Sequence, residues 1–399
     1  MDIFDKCYGF QEAAQARENG LYPYFIPIEE NRGGKVVMMG EERIMIGSNN
    51  YLGLSWDPRV QEAAVKAIKK YGTSCSGSRL INGNLALHEE LDHQLAAFVG
   101  RKAGLCFSTG YLTNLGSISA LTGRQEHVFS DRYNHASIMD GIFLAAGMTG
   151  GKIKLHRFLH NNPDHLEKLM MEVPEDEPKL IVTDGVFSME GDVVRLPELR
   201  AVADKYQARI YLDEAHALGV IGATGRGTEE HYGTNGCADI IMGTFSKSFG
   251  SLGGFVAGEE VVIDYIRHFA RPLIFTASMP PATIAAVMAS LKIIKEEPEH
   301  TQRLQSITRR MIAGFKAIGF NLGVTETPVI PLIIGDNQKT FSFWKALFES
   351  GVYANPIVSP AVPPDRSLIR TSYMSIHTDE ELDRVLEIAK REAKKLDIL

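Results

Sequence analysis

Ala208-Arg209-Ile210-Tyr211-Leu212-Asp213-Glu214-Ala215-His216 is an apolar run that ends in an acid, with a histidine three positions later. A second apolar run, Ala238-Asp239-Ile240-Ile241-Met242, leads into Gly243-Thr244-Phe245-Ser246-Lys247-Ser248-Phe249-Gly250-Ser251-Leu252-Gly253-Gly254. That turn is rich in hydroxyls and glycine and holds a single amine, Lys247. Runs of this length and composition read as buried strands, and ligands of open parallel sheets collect beyond the carboxyl ends of strands. Asp213, His216 and Lys247 all fall at such ends, so the two stretches predict a fold and a site together.

Outward from these strands the alternation continues. Residues 58–71 place Val60, Ala63, Ala64 and Ala67 at helical spacing, and 85–99, 136–146, 163–172 and 196–206 read as further helices. Between them lie strand candidates at 103–108, 127–130, 153–157 and 180–183, with 254–257 running back toward the sheet. Short apolar strands alternating with helices predict an α/β fold with a mostly parallel sheet covered on both faces. Near Pro280-Pro281 the texture changes to long helices at 282–297 and 299–317. Strand candidates follow at 328–334, 352–355 and 369–371, with a helix at 339–349 and a last one from 379 to 396. Thr378 with Glu381 three positions on predicts a capping box for that last helix. The expected organisation is an N-terminal segment (1–57), a large domain (58–290) and a smaller α+β C-terminal domain (291–399). In the first segment, one helix over 4–20 is expected, with Phe4, Cys7, Phe10 and Ala13 or Ala14 on one side, then strands at 35–39 and 43–46.

The bulk numbers exclude several classes. With 399 residues the chain is long enough for a large core, and 44% hydrophobic with 23% charged residues is ordinary for a water-soluble protein. A net charge of -7, with both signs mixed, gives no footing for nucleic acid. Cys7, Cys75, Cys106 and Cys237 are far apart, so neither a disulfide framework nor a thiolate metal site is expected. The opening Met1-Asp2-Ile3-Phe4-Asp5-Lys6 lacks the basic and apolar regions of a signal peptide, and no apolar run is long enough to span a bilayer.

Candidate site residues follow from chemistry. A strand-end carboxylate such as Asp213 could pair with a protonated pyridine nitrogen, or it could cap the following Ala-His-Ala turn. Lys247 is an amine for an aldehyde cofactor, with Thr244 and Ser246 offering hydroxyls to a phosphate. Thr109-Gly110-Tyr111 opens a helix directly after a strand, where free backbone N–H groups bind phosphate. Neither a GxxxxGK[ST] loop nor a GxGxxG after the first strand is present. His135 is placed to stack on a ring, and Ser188 is a hydroxyl at another strand end. Arg370, in Leu368-Ile369-Arg370-Thr371, is a fork for a substrate carboxylate or one half of a structural ion pair. An acid, a histidine and a lysine so spaced point to pyridoxal 5'-phosphate (PLP).

Six stretches carry a resemblance: Asn49-Asn50-Tyr51-Leu52-Gly53-Leu54, Gly77-Ser78-Arg79, Asn134-His135-Ala136-Ser137, Asp184-Gly185-Val186-Phe187-Ser188-Met189-Glu190-Gly191, Asp213-Glu214-Ala215-His216 and Thr244-Phe245-Ser246-Lys247. Over nearly its whole length the chain resembles the α-oxoamine synthases, PLP-dependent enzymes of fold type I. That family joins an amino acid to an acyl thioester, with loss of CO2 in most members. The resemblance implies that Lys247 binds PLP covalently, Asp213 pairs with its ring nitrogen and His135 stacks on it. It further implies His216 and Ser188 near the phenolic oxygen, and Gly110, Tyr111 and Thr244 at the phosphate. Thr276 would reach the phosphate of the neighbouring subunit in a homodimer with shared active sites. Asn50 would line the substrate pocket and Arg370 would bind the substrate carboxylate. The wording of Asn355-Pro356-Ile357-Val358-Ser359-Pro360-Ala361-Val362-Pro363 and of Ser251-Leu252-Gly253-Gly254-Phe255-Val256-Ala257-Gly258 leans toward members that use L-serine and a long-chain acyl-CoA, with sister members taking alanine or glycine as the alternative. Glu214 stands where some of these carry a second Asp. The cytoplasm is the expected compartment, and a lipid product would add only peripheral contact with the inner membrane surface.

Overall fold

Fourteen strands and their helices are arranged in three sheets in a computed structural model that describes residues 2–399. Three strands come first: β1 (Glu30–Asn31), β2 (Lys35–Met38) and β3 (Glu41–Met45). Then follow β4 (Ala103–Phe107), β5 (His127–Asp131), β6 (Lys154–Phe158), β7 (Lys179–Asp184), β8 (Arg209–Asp213), β9 (Ile240–Thr244) and β10 (Gly254–Gly258). The last four are β11 (Val329–Ile333), β12 (Val352–Tyr353), β13 (Asn355–Ile357) and β14 (Leu368–Ser372).

The central sheet has seven strands in the order β4-β10-β9-β8-β7-β5-β6. Only β10 runs against its neighbours; the pairs β5–β6, β5–β7, β7–β8 and β8–β9 are parallel. Such a sheet must be covered on both faces, and its inner strands are accordingly buried from end to end. One apolar cluster includes Ile181, Ile210, Leu212 and Ile241, and the cluster on the other face includes Val128, Val182, Tyr211 and Met242. Alternate residues of one strand thus face opposite ways, as strand geometry requires.

Local signals set the flanking helices. Asp57 accepts from the Arg59 N–H at 2.8 Å and Pro58 fills the first position of Pro58–Tyr71, while Gly72 ends it at φ +81°. The expected capping box of Asp379–Lys395 is present, with Thr378 N donating to Glu381 at 3.0 Å and Glu381 N donating to Thr378 at 3.2 Å.

A third cluster joins the two ends of the chain. Val36, Met38, Ile44 and Ile46 pack with Ile307, Phe315, Phe343, Ile369 and Val385. The small sheet β1-β2-β3-β12 is closed by parallel pairing of β3 with β12. The single strand expected over 352–355 is instead two. Ala354 separates β12, in that small sheet, from β13, which pairs with β14. The helix expected over 4–20 also differs: it is two short helices, Asp5–Tyr8 and Glu12–Glu18, interrupted at Gly9. Neither buries a residue, and Phe10 is 61% exposed, so the apolar spacing there serves no core within this chain. Among the described residues no helix is long and apolar enough to cross a membrane.

Candidate active site

A cavity of 280 Å³ opens beyond the carboxyl ends of β4, β5, β7, β8 and β9. Its walls bring together Gly110, Tyr111, His135, Ser188, Asp213, His216, Thr244 and Lys247, eight of the eleven residues expected from the sequence. A larger crevice of 510 Å³, lined by Lys102, Lys179 and Arg209 among others, gathers none of the site residues. The chemistry therefore decides between the two, not size.

Each wall has a local cause. Thr109 caps the helix Gly110–Leu121, its hydroxyl accepting from Leu112 N at 3.1 Å, which leaves the Gly110 and Tyr111 amides without intrahelical acceptors. A Cβ on Gly110 would stand 2.5 Å from Thr244 Oγ1, so only glycine lets the helix start approach the β9 turn. Thr244 Oγ1 is held 3.0 Å from both Ser246 Oγ and the Gly253 carbonyl. Together these make an anion-sized cradle of backbone N–H groups and hydroxyls.

Asp213 is 3% exposed. Its Oδ2 accepts from Asn114 Nδ2 at 2.7 Å and its Oδ1 from Ala215 N at 2.9 Å. The second bond is the turn cap weighed above, so Asp213 both caps and points a carboxylate at the cavity. No basic side chain forms an ion pair with it among the described residues, which fits a protonated ring nitrogen as its missing partner. Asn114 is a residue that sequence reasoning missed. It is buried in mid-helix, donates also to Ser137 Oγ at 2.9 Å and accepts from the Tyr211 hydroxyl at 2.9 Å. Ser137 Oγ in turn lies 2.7 Å from His135 Nδ1, so one chain of hydrogen bonds runs from Asp213 to His135.

Burial lowers the His135 pKa, the Asp213 charge offsetting part of the effect and the Lys247 charge adding to it, and its backbone N–H donates to Asp184 at 2.9 Å. Burial also holds the Asp184 carboxyl well above the usual carboxylate range, with Asp213 adding to the effect. His216 is held well below the usual imidazole range by burial first, then by Lys247, Arg370 and His135. Its Nδ1 lies 2.7 Å from the Tyr51 hydroxyl. Both imidazoles are neutral near pH 7.

The remaining three expected residues lie outside the cavity lining. Arg370 is 5% exposed; its Nε donates to the Ser188 carbonyl at 2.6 Å and its Nη1 to Asn49 Oδ1 at 3.1 Å. No acidic side chain pairs with it among the described residues, so the structural ion pair is absent and the charge is left for a ligand. Asn50 turns away, its Nδ2 donating to Ser55 Oγ at 2.8 Å, and it is Asn49 that meets the guanidinium. Thr276 is half-buried, beside Phe275, which is 72% exposed. Glu214 faces away from the cavity and accepts from Thr228 N at 3.0 Å and Thr228 Oγ1 at 2.9 Å. Burial pushes its pKa up to about 8.

Burial lowers the Lys247 pKa to about 8, the Asp213 and Asp184 charges offsetting part of the effect. An aldehyde reacts with the neutral amine only, and with such a pKa about one molecule in ten is neutral at pH 7. The rate of PLP capture by apoprotein is therefore expected to rise with pH, with a midpoint near 8, and to level off above it. Stopped-flow absorbance across that range checks this; a midpoint near the ordinary 10.5 would show an amine in water.

A phosphate cradle, an unpaired carboxylate, a desolvated amine and neutral imidazoles at the carboxyl ends of a parallel sheet define a PLP-dependent enzyme of fold type I. The family model for aminotransferase class I and II matches residues 41–388. A serine palmitoyltransferase of Sphingobacterium spiritivorum is 46% identical over 389 residues, 98% of this chain and 96% of that one. An 8-amino-7-oxononanoate synthase of Treponema denticola is 39% identical over 399 residues, covering 100% of each chain. A solved serine palmitoyltransferase with PLP superimposes with a TM-score of 0.95 at 35% identity, covering 100% of both chains. The chain belongs to the aminotransferase class I and II family and, within it, to the α-oxoamine synthases, which are PLP-dependent acyltransferases.

Proposed function

We propose that this protein condenses L-serine with a long-chain acyl-CoA, palmitoyl-CoA first among them, releasing CO2 and CoA and forming 3-oxosphinganine. The observation that carries it is Arg370, a buried guanidinium without an acidic partner, joined through the Ser188 carbonyl to the cavity that holds Lys247. A free amino acid needs a receptor for its carboxylate, and a planar fork supplies two parallel hydrogen bonds to one. The preference for serine rests on the higher identity to serine palmitoyltransferases, 46% against 39% for the synthase of Treponema denticola.

PLP, when bound, supplies an electron sink for the bond broken at the amino-acid α-carbon. The chain's residues do the rest. Asp213, fixed by Asn114 and Ala215, keeps a proton on the ring nitrogen by its charge. Lys247, neutral in a useful fraction near pH 7, takes the α-proton and returns one later. His135 offers a flat neutral ring, set in place by Ser137. His216, steered by Tyr51 from the N-terminal segment, presents its imidazole to the cavity. The Gly110 and Tyr111 amides with Thr244 bind phosphate.

Arg370→Ala is expected to raise KM for the amino acid by about 10- to 100-fold, with a smaller change in KM for the acyl thioester. Arg370→Lys should recover little of it, since an ammonium lacks the fork. Steady-state kinetics with each substrate varied separately checks both. A homodimer in which Thr276 serves the neighbouring site belongs to the same reading, as do a cytoplasmic location and peripheral contact with a membrane surface. The activity itself is tested with carboxyl-labelled serine: label must leave as CO2 only when acyl-CoA is present. Amino-group transfer without CO2 release would overturn it.

A further inference from the structure

Outside the cavity lining, the turn after β6 holds a charge cluster, a half-buried histidine between two buried aspartates, that the chemistry above does not use. His160 Nδ1 lies 3.1 Å from Asp131 Oδ1, and its Nε2 lies 3.2 Å from Asp192 Oδ2, the second contact being an ion pair outside hydrogen-bond geometry. Asp131 is 0% exposed and Asp192 6%. The two carboxylates belong to different site loops. Asp131 ends β5, and its Oδ1 accepts from Tyr133 N at 2.8 Å, two residues before His135. The Asp192 carbonyl accepts from Phe187 N at 3.1 Å, next to Ser188. The imidazole also packs against both loops, stacked on Tyr133 with ring centres 4.4 Å apart and perpendicular to Phe187, also at 4.4 Å. Asn161 repeats the bridge: its N donates to Asp131 Oδ2 at 2.7 Å and its Nδ2 to Asp192 Oδ2 at 2.9 Å.

We propose that His160, held between Asp131 and Asp192, is a positioning residue that ties the loop carrying His135 to the loop carrying Ser188. Through the Ser188 carbonyl, which accepts from Arg370, the same clamp reaches the substrate fork. The cation is what makes the clamp hold. Burial pulls the His160 pKa down, but the hydrogen bond to Asp131 and the close charges of Asp131 and Asp192 outweigh it and push it up to about 10. Glu190 is the other carboxyl nearby, and burial raises its pKa toward the neutral form. Without the imidazolium, two buried aspartates would face each other across the joint between the loops, and such a pair repels.

The inference rests on reading the cavity as a PLP pocket, and two measurements separate the fates of the two claims. In PLP-loaded protein, the His160 ring followed by NMR should stay protonated from about pH 6 to 9. Titration near the ordinary 6.5 overturns the clamp, whatever the cavity binds. In the second, His160→Gln should lower kcat about tenfold and alter the visible circular dichroism of bound PLP, because the ring and its partners shift in the site. The double variant His160→Gln with Asp192→Asn should recover at least about threefold of that loss, since one carboxylate is neutralised along with the lost cation. A residue needed only for shape gives no such rescue. Should His160→Gln not fold, Asp192→Asn alone keeps the His160–Asp131 pair and is expected to show a loss of about threefold with the same dichroism change. Parental kcat and dichroism in His160→Gln, or in Asp192→Asn where the former does not fold, overturn the proposal, as does a double variant no better than the single.

Discussion

Lys247→Ala is expected to lower kcat by on the order of 10⁴-fold or more while leaving the fold intact. Two losses combine. The covalent attachment point for PLP disappears, and so does the base whose pKa, lowered to about 8 by burial, matches it to proton transfer near neutral pH. The fold should tolerate the change because Lys247 forms no ion pair among the described residues and burying its charge is itself a cost. Thermal unfolding of the apoprotein should therefore show an unchanged or higher Tm, with turnover abolished in the same sample. Activity within tenfold of the parent would mean that another amine does the chemistry.

Asp213→Asn is expected to cost on the order of 10³-fold in kcat, a larger loss than at any residue that only binds substrate. The carboxylate already accepts from Asn114 at 2.7 Å and Ala215 at 2.9 Å, so its geometry is fixed independently of any ligand. An asparagine there keeps the shape and loses the charge that holds a proton on the ring nitrogen. Its amide nitrogen must also face either the Asn114 amide or the Ala215 N–H, donor against donor. That conflict predicts a stability loss of about 1–3 kcal/mol, far too small to account for the kinetic effect. Comparing kcat with the urea unfolding midpoint separates the two. A kcat within tenfold of the parent would remove Asp213 from the chemistry.

The residues at strand ends were legible because a strand end is a local property. An apolar run that stops at Asp213, and one that stops before Lys247, each announce a position at the same edge of one sheet. Gly110 and Thr109 were legible for the same reason, as the start of a helix after a strand. Other contributors lie far apart in the chain and leave no periodic trace. Asn114 reads as an ordinary polar residue of a helix until Tyr211 and Asp213 come to rest beside it. Asn49 reaches Arg370 across 321 positions, and which of two adjacent asparagines does so depends on the turn that sends Asn50 to Ser55. The N-terminal residues 4–20 show the converse: helical apolar spacing is present, but the side chains meet no core in their own chain. Periodicity reports a face and says nothing of what covers it.

Serine specificity is the central claim, and a crossed assay tests it most directly. PLP-loaded protein is given L-serine, L-alanine or glycine with palmitoyl-, pimeloyl- or acetyl-CoA, and the ketone product is identified by mass spectrometry. Serine with palmitoyl-CoA is predicted to give 3-oxosphinganine with a kcat/KM at least about tenfold above every other pair. Alanine with pimeloyl-CoA, or glycine with acetyl-CoA, as the fastest pair would contradict it and place the protein among the sister synthases.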